Sequence, residues 1–128
     1  MRERHAFDYA LVRVVPRVER GEFLNAGVIV FCSTLAYLDA RVELDRERLL
    51  MLHPSIDLDL VQSYLEAIPK ICAGGSEEGS IGSLPQRARF HWLVSPRSTV
   101  IQTSEVHAGV SDDPKAALEN LFEKLVRR

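Results

Sequence analysis

Long apolar runs are missing from this sequence. The longest, Ala26 to Cys32, is far short of the roughly 20 residues that span a bilayer. The amino terminus, Met1 to His5, has no apolar h-region, so no secretory leader is expected. Cysteine is scarce. Cys32 and Cys72 sit in dissimilar contexts and form no CxxC pair, which points to two buried free thiols in a reducing cytoplasm rather than a disulfide. An excess of one charge is also missing. Sixteen Lys and Arg stand against 18 Asp and Glu, a formal net charge of -2. That leaves no general electrostatic footprint for nucleic acid or an anionic membrane, so neither is expected as a partner.

Signatures of familiar chemistry are missing as well. The chain has no GxSxG, no Walker-type loop and no GxGxxG. Gly74-Gly75 and Gly79 lack the Lys and hydroxyl that a phosphate loop requires. His5, His53, His91 and His107 show no metal-ligand spacing, so neither a metal nor a cofactor is expected. Asp57 and Asp59, like Asp112 and Asp113, fall where a helix begins and acids are ordinary. No hydrolase is supported, and a non-catalytic protein is the expectation.

What is present is enough for one α+β domain. The chain has 128 residues and is 46% hydrophobic, which supplies a sizeable core. Phe7 to Val15 is β-branched and aromatic, and Pro16 ends it. Tyr9, Leu11, Arg13 and Val15 would share one face, so Arg13 is a single charge amid apolar neighbours. Phe23 to Cys32 is apolar on both faces and reads as a central strand, with Gly27 marking a bulge or a close approach. Tyr37 to Asp45 alternates cleanly and reads as a half-exposed third strand of an antiparallel meander.

The period then changes to helical. Asp45 caps a short helix to Leu52; Ser55 or Asp57 caps a longer one carrying Leu58, Val61, Leu65, Ile68 and Cys72. Gly74 to Ser83 reads as a mobile loop. Ser83 is placed as the cap of a helix over Gln86 to Leu93, with Ala88 and Trp92 on its apolar side. Thr99 to Val106 reads as a fourth strand. The last helix starts at Asp112 or Asp113 with Pro114 in its first turn, and ends on Lys124, Arg127 and Arg128, where cations suit the dipole. The expected fold is a three-stranded meander plus a fourth strand, packed against about four helices in one domain spanning residues 1–128.

Two places hold polar residues that packing does not require. The first is the hairpin mouth, with Arg13, Glu22 and Asn25. It either orients a ligand or is a structural cluster, in which Arg13 takes Glu22 as its carboxylate and Asn25 bonds turn backbone. The second is Ser95-Pro96-Arg97-Ser98-Thr99, where Arg97, Ser98 and exposed backbone N–H groups suit an anion such as phosphate; a Ser-Pro turn is equally a helix stop.

Several of these residues form a pattern. Tyr9 to Pro16, Gly21-Glu22, Asn25 and Gly27-Val28, with Pro96-Arg97-Ser98 and Ile101-Gln102-Thr103-Ser104, resemble a small bacterial family, the domain of unknown function 3037. The resemblance covers nearly the whole chain, and Gly-Glu-x-x-Asn-x-Gly-Val is its specific part. It brings no established activity. It implies stand-alone small proteins encoded beside kinases similar to the HipA toxin component, hence a HipA-like kinase as partner. It picks out Glu22, Asn25, Gly27 and Arg97. Two functions follow as expectations. One is a cytoplasmic, non-catalytic interaction or regulatory module. The other is a binding protein or enzyme for a small phosphorylated or nucleotide ligand, with Arg13, Glu22, Asn25, Arg97 and Ser98 gathered in one cleft.

Overall fold

The computed structural model describes residues 3–127; Met1, Arg2 and Arg128, the last expected at the end of the final helix, lie outside them. The chain is α+β. Strands β1 (His5–Val14), β2 (Leu24–Cys32) and β3 (Tyr37–Val42) form the expected meander. Helices α1 (Arg46–Leu52), α2 (Leu58–Ala73), α3 (Gly79–Gly82) and α4 (Gln86–Leu93) follow. β4 (Ile101–Thr103), β5 (His107–Ser111) and α5 (Pro114–Leu125) complete the order. The sheet is antiparallel, ordered β3-β2-β1-β4, and β5 also pairs with β1.

β4 and β5 lie end to end on one side of β1. Val12 faces Thr103 but Tyr9 faces His107, so the two registers differ by one residue and a bulge falls between them. Ser104 holds that bulge. Its N–H donates to the Leu11 carbonyl at 2.9 Å, and its hydroxyl accepts the Leu11 N–H at 2.8 Å. The expected fourth strand over Thr99 to Val106 is therefore two strands, five in all, interrupted at this serine.

A second bulge lies in β2. Val12 faces Gly27, and Arg13 faces Asn25, so Ala26 is the extra residue. Its carbonyl accepts the Glu43 N–H at 2.8 Å. Gly27 is tolerated there because nothing larger fits: an added Cβ would lie 2.8 Å from the Arg41 carbonyl oxygen. The bulge and the close approach expected at Gly27 are both present.

Helices cover both faces of the sheet. Val12, Val14, Leu24, Ala26, Ile29, Phe31, Leu38 and Ala40 pack against Leu49 of α1, the α2 stripe Val61-Leu65-Ile68-Cys72, and Phe90 and Leu93 of α4. On the other face Phe7, Val28, Val30 and Cys32 pack against Leu118 and Phe122 of α5. Each Val, Leu, Ile or Phe among them contributes about 1.5–3 kcal/mol on burial. β2 is buried on both faces from Ala26 onward, which is why its sequence is apolar from there to Cys32.

β3 is half-exposed as expected: Asp39 and Glu43 stay in solvent, while Arg41 between them pairs with Glu119 of α5 and lies 4.3 Å over the Phe122 ring. Three expectations are corrected. The inward residues of α4 are Phe90 and Leu93, while Trp92 stays 39% exposed, because the stripe runs i, i+3 from Phe90 rather than i, i+4 from Ala88. Ser83 follows α3, where its hydroxyl donates to the Gly79 carbonyl; Pro85 takes the position before α4. The Gly74–Ser83 segment contains a 3-10 turn and α3, and Arg89 ties it down by donating to the carbonyls of Leu84 and Cys72. Asp45, Asp57 and Asp113 do cap their helices through backbone N–H groups.

Both cysteines are buried and free. Burial pushes the Cys72 thiol up to about 12 from 9.0. The folded state therefore holds its proton where the unfolded chain has lost it, so stability falls as pH rises from about 9 toward 12. Thermal melts across that window should show a declining midpoint, with a shallower decline for Cys72→Ala. Equal slopes would remove Cys72 as a cause.

Candidate functional site

The hairpin mouth is built by β1, β2 and the end of α5. Arg13 and Asn25 oppose each other across the ladder, and the β2 bulge turns Asn25 toward α5. The Asn25 amide donates to the Leu125 carbonyl at 3.1 Å, near the carboxyl end of α5. The Arg13 guanidinium lies 4.3 Å over the Phe23 ring. Glu22 does not serve Arg13; it pairs with Arg20 across the turn that Gly21 closes at φ +69°. Arg13 Nε and Asn25 Oδ1 are both buried without a hydrogen-bond partner among the described residues, a donor and an acceptor on facing residues. Asn25 also lines a cavity of about 400 Å³ with Glu43, Leu44, Arg46 and Arg127. Ion pairs of Arg127 with Glu43 and Glu123 border it.

The Pro96 turn has a different construction. Arg97 donates to the carbonyls of Leu93 and Trp92 in the last turn of α4, and stacks 4.3 Å from the Trp92 ring. Ser98 is exposed beside it. The guanidinium is thus committed to ending a helix, and the anion-binding geometry expected of this turn has its cation turned toward carbonyl groups.

Sequence reasoning gathered Arg13, Glu22, Asn25, Arg97 and Ser98 into one cleft. The structure brings Arg13 and Asn25 together. Arg97 belongs to a separate cavity that shares no lining residue with the Asn25 cavity.

That second cavity is an apolar trough of about 430 Å³ between α2, the end of α4, and β4. Tyr64, Ile68, Ile71, Trp92, Arg97 and Ile101 line it. Tyr64 is 47% exposed, so two aromatic rings stand at its rim. Sequence reading missed Tyr64 altogether and placed Trp92 inside. The available signal was spacing: Tyr64 lies one residue before Leu65 on α2, off the buried stripe, where an aromatic gains nothing from the core.

Among the described residues no group of His, Cys, Asp and Glu is placed to hold a metal ion. No described helix is long and apolar enough to cross a membrane. No curated protein and no solved structure matches this chain. A family profile does match, over residues 9–126, and takes in β1 from Tyr9, both bulges, the Pro96 turn and all of α5. With nearly the whole fold inside that match, the chain belongs to the family described as protein of unknown function DUF3037.

Proposed function

We propose that the chain is a non-catalytic interaction and regulatory module of the cytoplasm, and that its partner is a HipA-like kinase. The observation that carries this reading is the trough between α2, α4 and β4. Tyr, Trp and Arg are the side chains that dominate binding energy at protein interfaces, and Tyr64, Trp92 and Arg97 meet at this one rim. The segments that mark the family resemblance border it too: Arg97, Ile101, Gln102 and Thr103 are on its lining. Arg97 is the single formal charge on the described lining, and its guanidinium is already engaged by the Leu93 and Trp92 carbonyls, so the complementary kinase segment is apolar.

Titration calorimetry of the chain with a HipA-like kinase tests the reading. Trp92 and Tyr64 are exposed, so Trp92→Ala and Tyr64→Ala should leave the fold intact. Each should weaken binding by about 30-fold, the effect of a hot-spot residue near 2 kcal/mol. Absence of binding by the native chain would sink the proposal. So would binding that neither substitution weakens.

A further inference from the structure

The two edges of the sheet are finished differently. β3 carries Asp39 and Arg41, and Glu43 follows; Arg41 and Glu43 are held in ion pairs with Glu119 and Arg127. Charged, occupied edges of this kind resist pairing with another chain. β5, at the opposite edge, reads His107-Ala108-Gly109-Val110-Ser111, with no Asp, Glu, Lys, Arg or Pro. Val110 is 59% exposed, and Val106, just before the strand, is 43% exposed.

The register shows which backbone groups β5 leaves open. Val15 donates its N–H to the Val100 carbonyl and Ser104 donates to the Leu11 carbonyl, so the odd-numbered residues of β1 aim their backbone at this side. Tyr9, Phe7 and His5 face His107, Gly109 and Ser111, and engage them. Ala108 and Val110 therefore aim their N–H and C=O groups outward. Their side chains face Asp8 and Ala6 on the face away from α5. Both are exposed there.

We propose that this edge joins two copies of the chain in a symmetric dimer, the β5 strands pairing antiparallel about a twofold axis at Ala108. A twofold interface must be self-complementary. With the axis at Ala108, Val106 of one copy faces Val110 of the other, and Ala108 faces its own counterpart. Glu105 and His107 meet Ser111 and Gly109 of the second copy. No like charges oppose. An axis one residue further, at Gly109, would instead set Glu105 against Asp113 and Val106 against Asp112. The Ala108 register gives three outward pairs, or about six backbone hydrogen bonds, at two for each pair. It also sets the two exposed valines as β-branched cross-strand neighbours, a favourable pairing on a sheet face. The result is one continuous sheet through both copies, ending on the charged β3 edge at either side.

Sedimentation equilibrium of the full chain from micromolar to millimolar concentration decides the matter. The expected result is a mass about twice the 14.4 kDa of one chain at the high end, dissociating on dilution. Val110→Lys places a charge on the edge at an exposed position and should raise the dissociation constant more than tenfold. Ala108→Pro removes an outward N–H, a substitution that an edge strand accommodates, and should do the same. If circular dichroism shows Ala108→Pro to be unfolded, Val110→Lys alone decides. A single 14.4 kDa species at every concentration overturns the proposal. A dimer that Val110→Lys leaves equally tight overturns it as well.

Discussion

Phe122→Ala is expected to lower the unfolding free energy by about 3–5 kcal/mol, the range for removing a large aromatic from a packed interior. Phe122 is 0% exposed and, with Leu118, packs α5 into the core cluster on this face of the sheet. Its partners, Phe7, Val28, Val30 and Cys32, all come from β1 and β2, and close-packed strands cannot collapse into the void. The ring has a second role. The guanidinium of Arg41 lies 4.3 Å from its centroid and that of Arg127 5.2 Å, so it seats two cations that also pair with Glu119 and Glu43. Removing the ring releases both. Against a total stability of about 5–15 kcal/mol, the loss is large enough to free α5 before the rest of the fold. Urea unfolding gives the magnitude, and hydrogen exchange shows where it is felt. Protection of the α5 amides should fall further than that of α2, which lies on the opposite face. Uniform loss of protection, or a change under about 1 kcal/mol, would mean that α5 is not held by this residue. Phe122→Leu should recover part of the loss, because it restores volume but not the face that the arginines occupy.

The same face explains what the sequence did and did not disclose. The stripe Val61-Leu65-Ile68-Cys72, the Asp-capped helices and the doubly apolar β2 are local patterns, each readable within a dozen residues, and each is as expected. β3 is legible only in part: Asp39 and Glu43 face solvent as their charges suggest, whereas Arg41 lays its guanidinium on an aromatic ring and pairs its charge with a carboxylate 78 positions away. No local pattern encodes that. β5 is hidden for a related reason. His-Ala-Gly-Val-Ser has weak strand propensity, and only the length of β1, whose first half needs a neighbour, makes it a strand. α4 misleads in phase: two apolar pairs, Ala88/Trp92 and Phe90/Leu93, compete, and tertiary packing chooses the second.

The candidate site divides along the same line. Arg13 opposite Asn25 follows from the hairpin register. Glu22 takes the nearer Arg20 because the two flank one turn, which costs less chain ordering than reaching across to β1. The trough was illegible because its walls, around Tyr64, Trp92 and Ile101, come from three elements that meet only in the fold.

Gly27→Val is the second substitution expected to be severe, at about 3 kcal/mol, the upper end of ordinary overpacking penalties. A Cβ at Gly27 would sit 2.8 Å from the Arg41 carbonyl oxygen, 2.8 Å from Val42 Cγ1 and 3.3 Å from Val12 Cβ. The first contact is backbone, and β3 cannot retreat without breaking its ladder to β2. Gly27→Ala should cost less, since it adds the clash without the branch. Gly21→Ala provides the contrast. Nothing lies within 4 Å of a Cβ there, and only the φ of +69° resists, so about 1–2 kcal/mol is expected from left-handed strain alone. Denaturant titration of the three variants should place Gly27→Val as the most destabilised, Gly27→Ala next, and Gly21→Ala last. A Gly27→Val protein within about 1 kcal/mol of the native chain would show that β3 yields. The effect reaches the hairpin mouth because Ala26 and Gly27 are the two residues that face Val12 together. Were the same residues to run in unbroken alternation with no bulge, Leu24 would turn out of the core and Asn25 away from α5. Strain at Gly27 is relieved most directly by slipping this bulge. The hydrogen bond from Asn25 to the Leu125 carbonyl is therefore the first long-range contact that Gly27→Val should lose, and the Asn25 side-chain amide signals in an NMR spectrum report it directly.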